Sequence, residues 1–243
     1  MNPGRSVTRI VAALWVLALA SPLLADNSGI VLTPHSAEYR IKISVLGGKL
    51  RTSLLALDTG YRAESSIQAT GMSRLIARGA IRESSVFHVS DEGIRPERFV
   101  SSDTLSKGGQ EVDLSFDWSS SSASGLIDGM DFTTEFDSIA HDRVSLQYGL
   151  MHDLLNGVEK SNYFLQDAEK FKPLSITNVG RKTVKVPFGK FEAVGIQHQA
   201  VNSSRVTTLW CVEELDYLPV IIEQHRKGKL RVRAVLTDYQ PAN

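Results

Sequence analysis

Apolar and polar residues alternate with a period of two through most of the chain beyond residue 36. That period puts alternate side chains on opposite faces of an extended strand, so the chain has to fold as sheet with one face buried. Ala37, Tyr39, Ile41, Ile43 and Val45 alternate with Glu38, Arg40, Lys42 and Ser44. Gly47-Gly48 reads as the turn that follows, because glycine accepts the positive φ of tight hairpins. The chain returns through Leu50, Thr52 and Leu54, turns at Asp58-Thr59-Gly60, and continues as Tyr61, Ala63, Ser65, Ile67 and Ala69. This is a meander of neighbouring antiparallel strands.

Between Gly71 and Gly79 the period changes. Met72, Leu75 and Ile76 fall at helical spacing and predict one or two turns of helix. Strands resume over 81–89 and 94–102, and Val112, Leu114, Phe116 and Trp118 alternate with Asp113, Ser115 and Asp117. Residues 119–125 read as a polar loop. The main helix spans 143–155, with Asp142 as N-cap accepting from the Ser145 amide and Asn156-Gly157 as the stop. At about 100° per residue, Val144, Tyr148, Met151 and Leu155 make one stripe. Leu146, Leu150 and Leu154 widen it, leaving Ser145, Gly149, His152 and Asp153 as a polar edge. Further strands cover 163–166, 174–179, 182–186, 191–199, 206–212, 219–225 and 230–239, with turns at 187–190 and 226–229. Roughly a dozen strands in series twist and curl. The expected fold is mainly β: a single strongly curved antiparallel sheet, a half-open barrel, with one main helix and one short helix.

Ahead of the sheet stand Arg5 and Arg9, an apolar run over residues 10–20, the small residue Ala25 and then the first acidic residue, Asp26. That is the layout of a cleaved secretory signal peptide. The apolar run falls short of the roughly 20 residues that span a bilayer. Residues 1–25 are therefore expected to be removed, leaving 26–243 as one β-rich domain in the periplasm. Two of the 27 basic residues and none of the 27 acidic ones fall in the leader, so 25 face 27, a net charge of −2. No global field favours nucleic acid or an anionic membrane surface. The single cysteine, Cys211, excludes an internal disulfide and sits in a strand-like run as a buried structural thiol. Asp26 occupies the place where a lipoprotein carries its acylated cysteine, so the protein is expected to be soluble and not membrane-anchored.

Catalytic and metal motifs do not emerge. The six histidines, His35, His88, His141, His152, His198 and His225, show no HxH or HExxH spacing, and no CxxC or G-x-S-x-G is present. No metal and no cofactor are expected. Binding candidates remain: the helix residues Val144, Tyr148, Leu150, Met151 and Leu154, and the alternating cations Lys227, Lys229, Arg231 and Arg233 near the C-terminus. On a regular strand the four cations would share one face, suited to an anion such as a lipid phosphate.

Several pieces resemble the exported bacterial proteins grouped as domain of unknown function 3108. They include Arg82-Glu83-Ser84-Ser85-Val86-Phe87, then Asp91-Glu92-Gly93-Ile94-Arg95-Pro96, Phe116-Asp117-Trp118 and Asp142-Arg143-Val144-Ser145. The most specific are Val186-Pro187-Phe188-Gly189-Lys190-Phe191-Glu192-Ala193-Val194 and Leu209-Trp210 through Tyr217-Leu218-Pro219-Val220. The resemblance implies an architecture similar to the periplasmic lipoprotein carriers LolA and LolB, unclosed barrels whose concave face holds acyl chains. It implies no catalytic residues. The expected function is a non-enzymatic periplasmic protein that binds a lipid or other apolar small molecule. The alternative is an envelope scaffold or assembly factor that contacts an envelope protein.

Overall fold

A computed structural model describes residues 32–242, and the expected leader, residues 1–25, and new terminus at Asp26 lie outside them. The described residues form one 15-stranded sheet and one α-helix. The first half is a plain meander: β1 His35–Ile43, β2 Leu46–Ala56, β3 Tyr61–Ala69, β4 Ala80–Ser90, β5 Gly93–Asp103, β6 Glu111–Asp117, β7 Ser122–Ile127 and β8 Met130–Glu135. The two-residue β9 (Ala140–His141) and the helix α1 (Ser145–Leu155) follow. A second meander completes the chain: β10 Asn162–Asp167, β11 Lys170–Val186, β12 Gly189–Ala200, β13 Arg205–Val212, β14 Leu218–Arg226 and β15 Lys229–Pro241.

The sheet order is β8-β7-β6-β5-β4-β3-β2-β1-β15-β14-β13-β12-β11-β10-β9. The first and last strands pair antiparallel, joining the two meanders in the middle of the sheet. The two sheet edges, β8 and β9, are neighbours in sequence and stay unpaired with each other. β9 pairs parallel with β10 and packs against β5 instead. The sheet therefore curls towards a barrel and stops at one seam.

The core lies on the inner side of this curve. Tyr39, Leu54, Phe87, Phe99, Leu114 and Leu236 are fully buried there. Helix α1 rests on β4 and β5 and inserts Val144, Tyr148 and Met151 into that cluster. Its other side, Leu146 and Leu150, belongs to a second cluster with Tyr163, Leu174, Ile196, Leu209 and Cys211. The helix thus ties the halves together. Its start is a capping box. The Asp142 carbonyl accepts from the Leu146 amide at 3.1 Å, which makes Asp142 the N-cap in hydrogen-bonding terms. Asp142 Oδ1 accepts from the Val144 and Ser145 amides at 2.8 and 2.9 Å, and Ser145 Oγ accepts from the Asp142 amide at 2.9 Å. Ser85 Oγ donates to the remaining carboxylate oxygen at 2.6 Å.

Four expectations need correction. Gly47-Gly48 is not the turn; Ser44 and Val45 turn the chain, with Ser44 at φ 53°, and both glycines lie inside β2. Gly48 is small because a strand backbone passes close by: a Cβ there would sit 2.7 Å from the Gln68 carbonyl oxygen. The stretch 119–125 is only partly loop, since β7 begins at Ser122 and buries Ala123 completely. Pairing with β6 overrides the weak strand propensity of Ser and Gly there. Residues 170–186 form one strand with a bulge between Asn178 and Arg181, not two strands. Finally, the polar edge of the helix is not solvated. Ser145, Gly149, His152 and Asp153 are all buried, because β9 and β10 cover that side.

Adjacent glycines in β2 should respond differently to a methyl group. Gly48→Ala forces a carbonyl and Ile41 aside and should cost about 1–3 kcal/mol in chemical denaturation. Gly47→Ala meets nothing closer than Ser73 Oγ at 3.9 Å and should stay within about 0.5 kcal/mol of the parent.

Candidate functional site

Between α1 and strands β10–β14 lies an open hollow of about 800 Å³. One wall is helical, made by Leu146, Gln147 and Leu150. The other is sheet, where Leu165, Leu174, Leu209 and Ile222 present apolar surface from four different strands. His198 and Thr207 interrupt it with polar groups. Burial lowers the His198 imidazole to about 4, so the ring is neutral at physiological pH.

The two ends of the hollow differ in charge. At the helix N-terminus, Arg143 is fully engaged. It pairs with Glu83 at 2.8 Å and Asp167 at 3.2 Å, donates to Ser101 Oγ at 2.9 Å and covers the Phe99 ring. Lys172 also binds Asp167. Burial raises the Glu83 carboxyl, and the Arg143 guanidinium only partly offsets it. Asp167 goes the other way: burial would raise it, but Lys172 and Arg143 together hold it below the ordinary aspartate value. At the opposite end, Arg205 and Arg226 stand directly across from one another on β13 and β14. Neither forms a salt bridge within the described residues. Like charges opposed on neighbouring strands cost stability unless an anion sits between them. A second hollow of about 480 Å³ shares Arg205, Gln224 and Arg226 with the first and adds Ile43, Lys227, Arg231 and Val232. The border the two hollows share is therefore cationic.

The residues singled out from sequence are dispersed by this geometry. Leu150 lines the large hollow. Val144, Tyr148 and Met151 point away from it into the main core, and Leu154 packs half-buried against the second cluster. The row of four cations is split. Lys227 sits in the hairpin turn at φ 50°, and with Arg231 it lines the smaller hollow. Lys229 is exposed outside both spaces, and Arg233 pairs with Glu223 at 3.4 Å. Arg205 and Arg226 were invisible to pattern reading, since only strand register opposes them. Cys211 is buried, and burial raises its thiol far above the ordinary value.

A second cluster of titratable groups lies behind the helix. Asp153 accepts from the Tyr163 hydroxyl, from Lys160 at 3.0 Å and from His152 at 3.5 Å. Burial would raise its carboxyl, but these three donors outweigh it and hold the group ionised below the usual range. Every oxygen of Asp153 is thereby occupied, and the cluster ties α1 to β10. His141 packs its ring over Gly149 and Tyr163, and burial lowers its imidazole to about 4.

The family described as "Protein of unknown function (DUF3108)" matches residues 37–233. No curated protein matches the chain at a significant level. A β-barrel-like protein of domain of unknown function DUF1849 from Brucella abortus has a similar structure. The match has TM-score 0.58 and 11% identity, and covers 88% of this chain and 100% of that one. At that identity the likeness is one of fold. MucB aligns at 12% identity and TM-score 0.30 over 87% of this chain and 54% of its own. A protein with a YmcC-like fold from Bacteroides fragilis aligns at 12% and 0.31 over 85% and 95%. Scores that low carry no argument.

His141 predicts an acid-sensitive window. The unfolded chain takes up a proton near pH 6.5, whereas the folded one resists until about 4. Stability should therefore fall as pH drops from 6.5 to 4, by about 1.4 kcal/mol per pH unit for each such histidine. His141→Phe should remove about one proton from that slope in urea titrations between pH 7 and 4.5. An unchanged slope would show that the ring already titrates normally when folded.

Proposed function

The chain belongs to the DUF3108 family, and we propose that it is an exported, non-enzymatic binding protein for a ligand with an apolar body and an anionic head. The observation that carries this reading is the hollow's division of labour: apolar walls from α1 and four strands, and an unpaired Arg205–Arg226 pair at one end. The volume falls in the range of small-molecule sites, roughly 300–1,000 Å³. An acyl chain seated against Leu146, Leu150, Leu174 and Leu209 gains about 0.8 kcal/mol per buried methylene. Eight methylenes would contribute about 6 kcal/mol before ordering costs. The carboxylate or phosphate of such a ligand would neutralise the two arginines and relieve their mutual repulsion. Arg143 and Lys172 are already paired, so the head is directed to the Arg205 end. Export to the periplasm rests on the basic and apolar layout of residues 1–25. The reading involves no chemistry on the ligand.

The test is native mass spectrometry of protein purified from its own host, followed by lipid extraction and displacement of a fluorescent fatty acid. Leu150→Trp fills the hollow and should weaken binding at least about tenfold. Arg226→Glu should weaken a fatty acid by about tenfold or more and its methyl ester far less. No co-purified lipid together with no saturable binding would overturn the reading and leave the scaffold alternative.

A further inference from the structure

We propose that one end of the sheet, carrying the β1–β2 turn, the turn after β3 and the β14–β15 hairpin, docks on an anionic lipid surface. Val45, Met72, Leu75 and Ile76 are 87%, 77%, 67% and 79% exposed, the four most exposed large apolar residues among those described. All four stand at this end. Met72 and Leu75 belong to the 3-10 turn Gly71–Leu75, which buries none of its own residues. It is nonetheless fixed in place: the Gly47 amide donates to Ser73 Oγ at 2.9 Å, and the Thr70 amide donates to the Gly47 carbonyl at 3.0 Å. Apolar side chains held outward by an ordered turn are presented, not merely left over.

Cations dominate the β1–β3 and β13–β15 side of this end, while Asp103, Glu111 and Asp128 lie beyond β4. Gly47, Lys42, Arg233, Glu223 and Thr208 stand in register across β2, β1, β15, β14 and β13, so segments 42–47, 70–79, 197–208 and 223–233 lie at this end. They hold nine Lys and Arg and one acidic residue, Glu223, in a chain whose formal net charge is zero. Arg233 pairs with Glu223, which stands directly across from it. Arg74, Arg78, Lys227, Lys229 and Arg231 form no salt bridge within the described residues. The links across the patch are direct: the Ser44 amide donates to the Arg231 carbonyl at 2.7 Å, and the Lys227 amide to the Ser204 carbonyl at 3.1 Å.

Apolar tips flanked by uncompensated cations match the interface of a bilayer with anionic headgroups, where the tips enter the acyl boundary and the cations meet phosphates. A protein partner would require a groove to receive protruding single side chains. A lipid surface accepts them wherever they land. The described chain ends do not cover the patch, since the Ala242 amide bonds the Pro34 carbonyl at the opposite end of β1. The proposal stands on the tip alone and not on occupancy of the hollow, although the hollow's cationic border lies at the same end.

The experiment is flotation of the exported protein with vesicles of phosphatidylcholine alone or mixed with phosphatidylglycerol. The protein should float with the mixed vesicles, not with the neutral ones, and release as salt shortens the screening length. The double variants Met72→Glu/Ile76→Glu and Arg74→Glu/Lys229→Glu should each weaken binding about tenfold or more. Leu57→Glu, an exposed position at the far end of β2, should bind as the parent does. These sites are exposed, and thermal melts confirm that each variant folds before it is scored. Fatty-acid displacement on the same tip variants should stay at the parental level, so loss of docking and loss of ligand binding are read separately. No flotation with phosphatidylglycerol, or flotation undiminished by both double variants, overturns the proposal.

Discussion

Everything in this structure depends on the pairing of the first strand with the last. β1 runs from His35 to Ile43 against Pro241 to Val232 of β15, and it pairs on its other side with β2. Two independent meanders become one sheet only through that ladder. Ala37, Tyr39 and Ile41 on β1 and Ala234 and Leu236 on β15 are buried on the inner side, so the join is also the middle of the core. A one-residue slip here would turn each of these side chains outward, which is why the register is firmly set.

The hollow is a product of how the sheet fails to close. β8 and β9 are consecutive, and a hairpin between them would have completed a barrel. Instead β9 packs against β5 and the chain goes straight into α1. The helix occupies the interior and meets β4 and β5 on one side and the second apolar cluster on the other. It fills part of the space and leaves the rest as a hollow beside β10–β14. The ion-pair network of Arg143 with Glu83 and Asp167 ties down the helix start, so the hollow has a charge-compensated end and a cationic one.

The sheet was legible in the residues because single-sided burial writes itself as alternation. Where β1 reads apolar-polar-apolar, its burial follows the same beat. The signal failed where another force set the residue type. Gly48 looked like a turn because close strand approach and positive φ select the same amino acid. β7 looked like a loop because Ser and Gly fill a tight pairing with β6. The burial of the helix edge of Ser145, His152 and Asp153 was not legible because the residues that cover Asp153, among them Lys160 and Tyr163, come after the helix. Arg205 and Arg226 could not be paired in advance, since their opposition depends on a register with a shift between Trp210 and Cys211. The candidate site was therefore only glimpsed, through Leu150, Lys227 and Arg231.

The β1–β15 ladder has a kinetic side. Its partners are separated by nearly the whole described length of the chain, as with Glu38 and Asp238. Contacts of such separation must close a very large loop before they return any free energy, so they form late and slowly. Until β15 arrives, β1 presents a free edge of unpaired amides and carbonyls, a surface that invites pairing with other chains. A nascent chain cannot complete this sheet before β15 has emerged. The sheet is joined only once β15 is available, and the interval between the making of β1 and that of β15 is when this edge is open to aggregation and proteolysis.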